Sequence, residues 1–265
     1  MTPNTPDFEL LKEKINSKKI VSFDVFDTLL LRNVHQPRDV FWILDLYAKN
    51  RFGIPDFYQM RVDAENQARK FVKNSECNYQ EIYDVLAEKI GKYANWMQER
   101  EIQAESLVLT ENPFMKKAFW YAYENQKEIF VISDMYLPSE IIQSFLKENG
   151  YPDCKIFVSD EYRCTKHSGE LFQLVKKRCG LDNKSWLHIG DNPISDCKVP
   201  FALGIETFLY KNVSTYEKAE PKTLEERIFW GIQNNAKHNG EKPISQRKTH
   251  ERYLQLFKQI TDFCK

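Results

Sequence analysis

The stretch Lys18–Arg32, KKIVSFDVFDTLLLR, constrains the fold more than any other part of the chain. Ile20, Val21, Ser22 and Phe23 do not alternate apolar with polar side chains, so they read as a strand buried on both faces, as in a parallel sheet. The run stops at Asp24, with a second carboxylate at Asp27 and a hydroxyl at Thr28. A charge where a buried strand ends is a costly choice for a core. It is a sensible choice for a site, because open α/β sheets bind ligands at the carboxyl ends of their strands. Asp24 is therefore the expected reactive centre.

Around this stretch the hydrophobic period changes twice. Phe8–Ser17 predicts a short amphipathic helix leading into the strand. Arg38–Asn50, Asp56–Asn74, Tyr79–Gly91 and Tyr93–Thr110 then carry apolar residues at helical spacing, with almost no strand-like sequence between them. From Pro113 onward helices alternate with short apolar strands: Glu128–Ile132, Lys155–Ser159, Ser185–Ile189 and Glu206–Tyr210. This order predicts an α/β fold, a doubly wound, Rossmann-like parallel sheet with an inserted all-helical cap subdomain. The expected core is 1–32 with 113–265, which ends in a helical tail; the expected insert is 33–112.

Charge narrows the partners. The chain carries 38 basic and 38 acidic residues with no basic tract, so neither nucleic acid nor an anionic membrane is an expected partner. No apolar run reaches the length of a membrane span or a signal peptide, which makes a cytoplasmic location the expectation. The six cysteines form no C-x-x-C pair, so a zinc site is not expected.

Arg61, Glu65 and Arg69 follow one another at i, i+4 and i+8 on one helical face. Two readings stand: a solvated ion-pair ladder contributing about 0.3–0.5 kcal/mol per pair, or a basic face that grips an anionic substrate. His188, flanked by Leu187 and Ile189, is expected to be a satisfied buried histidine, and His167 a solvated loop residue. Phe119, Trp120, Tyr121 and Tyr123 read as core, whereas Trp42 and Tyr47 are expected on the inner surface of the insert.

Four strand ends carry polar residues in order: Asp24, then Ser133 with Asp134, then a loop holding Lys166, then Asp191 and Asp196. With SFDVFDTLL, VISD, the Lys166 loop and IGDNPISD in this order, the chain resembles the haloacid dehalogenase (HAD) superfamily over its whole core. The helical insert matches that family's cap position. The chain looks closest to a bacterial branch reading FDxFDTLLLR, R-x-x-x-E-x-x-x-R and SDMYLP, whose members often accompany surface-polysaccharide glycosyltransferases. The resemblance implies a Mg²⁺-dependent phosphohydrolase acting on a small phosphorylated substrate through an aspartyl-phosphate. It implies Asp24 as nucleophile, Lys166 and Ser133 at the phosphate, and Asp24, Asp191 and the Phe26 carbonyl as metal ligands, with Asp196 bound through water or orienting the others. Thr28, Ser133, Asp134, Arg61 and Arg69 are the expected substrate contacts, and Thr28 also braces the loop.

One position departs from that pattern. Family phosphatases place a second Asp two residues after the nucleophile as general acid; here that residue is Phe26, and Asp27, one step later, is the candidate substitute, although in an extended segment neighbouring side chains point oppositely. The departure leaves a second reading, a HAD-like domain retired from catalysis and serving a glycosyltransferase. Dehalogenases of the superfamily also lack the acid, but they lack the metal carboxylates that this chain keeps.

Overall fold

A computed structural model describes residues 7–72, 76–210, 220–239 and 247–265. Its elements are, in chain order, α1 (Phe8–Asn16), β1 (Ile20–Phe23), β2 (Leu30–Arg32), α2 (Val40–Phe52), α3 (Phe57–Phe71), α4 (Tyr79–Ile90), α5 (Tyr93–Val108), β3 (Leu109–Glu111), α6 (Pro113–Glu124) and β4 (Glu128–Ser133). There follow α7 (Ser139–Glu148), β5 (Lys155–Val158), α8 (Ser159–Tyr162), α9 (Glu170–Cys179), β6 (Trp186–Gly190), α10 (Val199–Ala202), β7 (Glu206–Leu209), α11 (Leu224–His238) and α12 (Arg247–Phe263). The helix expected to reach Asn74 is described as far as Phe71; residues 73 and 74 lie outside the described residues. Two compact units result: Met1–Leu31 with Glu111–Asn212, and Arg32–Thr110 with Val213–Lys265.

The first unit is the doubly wound sheet. Its five strands run in the order β5-β4-β1-β6-β7, and each neighbouring pair is parallel. All four residues of the central β1 are buried, which is why its sequence does not alternate. From β1 the chain crosses to β4 and β5, then returns to lay β6 and β7 on the other side. The winding therefore reverses beside β1, and its carboxyl end is the topological switch point. Beneath it lies an apolar cluster of Ile20, Phe130, Ile132, Phe172 and Trp186. Asn112 opens α6 by accepting the Phe114 and Met115 amides, with Pro113 at the first helical position. The short strands β2 and β3 pair with each other in a separate ribbon. Leu30-Leu31-Arg32 and Leu109-Thr110-Glu111 are too short for a periodic signal, so the helix expected to reach Thr110 ends at Val108 and gives way to β3.

The second unit is all helical, and local chemistry sets its ends. Gly53, at φ +68°, closes α2 in the left-handed conformation that glycine adopts without strain. Reciprocal capping boxes, Asn78 with Glu81 and Thr223 with Glu226, open α4 and α11. The carboxyl-terminal helices belong to this unit, which corrects the expectation that 213–265 extends the α/β core. Gly231 of α11 lies so close to the chain at Val34 that a Cβ there would come within 2.3 Å of the Val34 nitrogen. The Asn235 amide donates to the Arg32 carbonyl and to Asn33 Oδ1, each at 2.9 Å, and Asn50 Nδ2 donates to the Cys264 carbonyl at 3.0 Å. The helical period of the tail shows that it has an apolar face but not what that face covers. Among the described residues no helix is long and apolar enough to cross a membrane.

Candidate active site

The site is built on the carboxyl ends of β1, β4 and β6. Backbone pairing with β6 continues one residue past β1, with the Asp24 amide donating to the Ile189 carbonyl at 2.8 Å, so Asp24 starts from rigid sheet. The chain then turns tightly. The Leu30 amide returns to the Val25 carbonyl at 2.9 Å and the Asp27 amide donates to the Leu30 carbonyl at 2.8 Å. Asp27 sits at φ +59°, a left-handed position that Asp tolerates better than most residues. Full burial of Val25, Leu29 and Leu30 holds the turn in the core. Its carbonyls are held as well: Thr28 accepts from Asn112 Nδ2 at 2.7 Å and Leu29 from the Tyr151 hydroxyl at 2.8 Å.

Lys166 reaches this strand end from the loop after α8. Asp134 orders that loop, its two carboxylate oxygens accepting the main-chain N–H groups of Lys166 at 2.6 Å and His167 at 3.2 Å. The Lys166 side chain is 3% exposed, and its ammonium donates to Asp24 Oδ1 at 2.5 Å and Asp196 Oδ1 at 2.6 Å. Asp196 lies on a short π-helical turn, Pro193–Lys198, whose entry Asn192 caps. The Asn192 amide binds Asp196 Oδ2 at 3.0 Å. His188 Nε2 meets Asp196 Oδ1 at 3.0 Å, and Ser22 Oγ, which accepts from Trp186 Nε1 at 2.7 Å, lies 2.7 Å from His188 Nδ1. Gly190 is required here, because a Cβ would stand 2.4 Å from Asp196 Cγ.

The carboxylates of Asp24, Asp191 and Asp196 each place an oxygen within 4.8 Å of the others. At such a spacing two unit charges repel by about 3.5 kcal/mol at an effective dielectric of 20. Burial pushes the Asp24 carboxyl well above the ordinary carboxylate range, with Asp196 and Asp191 adding to it and the Lys166 ammonium opposing. Burial also acts to raise Asp196, but Lys166 and His188 outweigh it and hold that carboxyl below the ordinary range. Lys166 is held above its ordinary value because Asp196 and Asp24 overcome the burial that would lower it. Burial lowers His188. The Lys166 ammonium thus sits against two members of a cluster of three carboxylates. Hard oxygen donors, few in number and close together, fit a Mg²⁺ ion that keeps several of its waters.

The structure brings Asp24, Lys166, Asp191 and Asp196 together, and Ser133 stands buried at the end of β4, its hydroxyl hydrogen-bonded to no other described residue. Other sequence expectations need correction. Thr28 is fully buried, with its hydroxyl 3.5 Å from Asp191 Oδ1, so it faces a neighbouring carboxylate rather than a substrate. The Asp134 oxygens are engaged by the Lys166 loop and brace it. Asp27 is not in an extended segment, so the rule of opposite-facing neighbours does not apply to it. Arg61 is completely buried in the helical unit: Nε and Nη2 form a fork on Glu101 at 2.6 and 2.7 Å, Nη1 reaches Glu65 at 3.2 Å, and its guanidinium lies 4.5 Å from the centre of the Phe41 ring. It is neither a solvated ladder nor a ligand-facing cation, because Glu101 on α5 and the ring of Phe41 on α2 enclose it. Arg69 is engaged by Glu65 and Glu76. His188 is the buried, bonded histidine expected, but its link to Ser22 and Asp196 was not foreseen. Two polar residues inside otherwise apolar strands, Ser22 and His188, were the available signal.

No protein family's sequence profile matches the chain, and neither does any curated protein sequence. Solved structures do match its fold. A HAD family enzyme from Bacteroides thetaiotaomicron is 20% identical with a TM-score of 0.52, the match covering 76% of this chain and 96% of that one. An aspartate-to-alanine mutant of the same enzyme, complexed with magnesium and inorganic phosphate, is 18% identical with a TM-score of 0.52 over 74% of this chain and 95% of that one. The defluorinating L-2-haloacid dehalogenase Rha0230 is 16% identical with a TM-score of 0.54 over 77% and 86%. At these identities the likeness is one of fold: the chain has the α/β architecture of HAD enzymes.

Proposed function

We propose that this chain is a HAD-type, Mg²⁺-dependent phosphohydrolase acting on a small phosphorylated metabolite, such as a sugar phosphate or polysaccharide precursor. The observation that carries the reading is Asp24 at the switch point, bonded to Lys166 and clustered with Asp191 and Asp196. Asp24, Asp191 and the Phe26 carbonyl would hold the ion, with Asp196 behind them. When bound, Mg²⁺ would offset the mutual repulsion of these carboxylates and supply Lewis-acid polarisation of a phosphate oxygen. An Asp24 carboxylate oxygen attacks phosphorus as the bond to the leaving oxygen breaks, giving an aspartyl-phosphate that water then hydrolyses. Lys166 neutralises charge on Asp24 and the phosphoryl oxygens, and the Ser133 hydroxyl donates to one of those oxygens.

The expected preference follows from Phe26. With no acid at that position, departing alkoxides gain no proton from it, and general acid catalysis is worth about 10²–10⁴-fold. Acyl, anhydride, anomeric or aryl phosphates are the better substrates. Phe26 also favours the second reading, a retired domain that accompanies a glycosyltransferase. A screen for Mg²⁺-dependent phosphate release separates the two: Asp24→Asn should abolish any release found while the protein stays folded, with a loss of at least about 10³-fold. Absence of both Mg²⁺ binding by calorimetry and phosphate release from every aryl and acyl phosphate would favour the retired domain.

A further inference from the structure

Behind Asp196 stand three buried polar groups that the chemistry above does not use. We propose that Trp186, Ser22 and His188 form a one-way hydrogen-bond chain that orients Asp196 and, through it, Lys166, which makes Ser22 and His188 positioning residues of the site. Its kinetic consequence rests on the phosphohydrolase reading; its geometry does not.

Proton accounting sets the direction of the chain. An indole nitrogen can only donate, so Ser22 Oγ accepts from Trp186 Nε1 at 2.7 Å. At the far end, Asp196 Oδ1 accepts the Lys166 ammonium at 2.6 Å and is a carboxylate. An imidazole lone pair facing that oxygen at 3.0 Å would be repelled, so His188 Nε2 carries the proton and donates. Nδ1 is then an acceptor, and the Ser22 hydroxyl proton, 2.7 Å away, is its donor. The opposite tautomer would bring two N–H groups onto Ser22 Oγ, which has a lone pair for each, so it is the Nε2 contact with the Asp196 carboxylate that decides the direction. Ser22, Trp186 and His188 are all 0% exposed, so water does not compete for these bonds.

The chain is also rigid. Ser22 and His188 are register partners on adjacent parallel strands, as are Ile20 and Trp186. The Phe172 ring stands edge-on to the imidazole, 4.9 Å between centroids. Asp196 is therefore held from two sides: Oδ1 by His188 and Oδ2 by the Asn192 amide at 3.0 Å. What remains of Oδ1 is aimed at Lys166. Partners of this kind, behind the groups that react, typically matter 10–100-fold.

The first test uses the full chain without metal or substrate. Histidine-labelled ¹⁵N NMR should show a neutral Nε2–H imidazole that disappears in His188→Gln. A Nδ1–H tautomer or an imidazolium at His188 would overturn the proposal. The second test uses p-nitrophenyl phosphate with MgCl₂. Ser22→Ala and His188→Leu should lower kcat about tenfold with KM within about twofold, and His188→Gln, whose amide can still donate to Asp196, should recover most of the loss. A folded His188→Leu with unchanged kcat would refute the proposal. Should His188→Leu fail to fold, Ser22→Ala, which removes one hydroxyl, decides in its place. Should the wild type release no phosphate, the functional reading fails, and the tautomer measured by NMR still decides this one.

Discussion

Both units of this protein bury a network of charged side chains, and the two networks are completed differently. In the helical unit, Arg61 meets Glu101 through two hydrogen bonds, the Tyr83 hydroxyl adds a third at 2.7 Å, and Glu65 is shared between Arg61 and Arg69. The groups satisfy one another. At the strand ends of the α/β unit, the Lys166 ammonium contacts two of three clustered carboxylates. In the helical unit opposite charges close on one another and hold structure, whereas at the strand ends three carboxylates gather within 4.8 Å of one another, an arrangement suited to sharing a cation. The distinction lies in the partners, since both networks set basic side chains against carboxylates.

The largest expected effect would break the helical network. Arg61→Ala removes the guanidinium fork from the buried Glu101 carboxylate and should cost about 3–5 kcal/mol, read by urea unfolding. Asp24→Asn, by contrast, should abolish turnover and leave stability near wild type. Loss of activity without loss of stability in Arg61→Ala would mean that the two networks had been assigned the wrong way round.

The next effect sharpens the comparison from the other side. Mg²⁺ should stabilise the protein by about 2.7 kcal/mol at a hundred times its dissociation constant, seen as a rise in Tm. Asp191→Asn should remove most of that rise. A Mg²⁺-independent Tm in the wild type would show that the acidic cluster needs no ion.

A pH effect of up to about 3 kcal/mol is expected in the helical unit. Burial lowers His238 to about 4. A base depressed in the folded state takes up its proton first when unfolded, so its contribution is complete above about pH 6.5 and is lost as pH falls from there to about 4. Urea unfolding between those values should show a shallower slope in His238→Gln than in the wild type, by the share that His238 contributes. The smallest effect belongs to Thr28. A contact of 3.5 Å is marginal, so Thr28→Val should change Mg²⁺ affinity by less than about threefold; a tenfold loss would give Thr28 a larger share in orienting Asp191.

How much of this was legible in the sequence follows from what sets each feature. The unbroken apolar run of Ile20–Phe23, the alternation after Pro113 and the helical period between Arg38 and Thr110 are local properties, and they determined the parallel sheet and the inserted helices. Polar residues after successive strands likewise singled out Asp24, Ser133, Lys166, Asp191 and Asp196 as candidates, because an acid that ends a buried strand costs desolvation, and Asp24, Lys166, Asp191 and Asp196 do lie together. Tertiary structure alone decided the rest. It placed the tail helices with the insert through the contact of Gly231 with Val34. It closed Arg61 on Glu101, 40 residues away, and turned Asp134 toward the Lys166 loop, 32 residues on. It also aligned Ser22 with His188, 166 residues apart. Periodicity reports which face of an element is apolar, but a partner is fixed by register and packing between elements, and a single segment of sequence does not contain them.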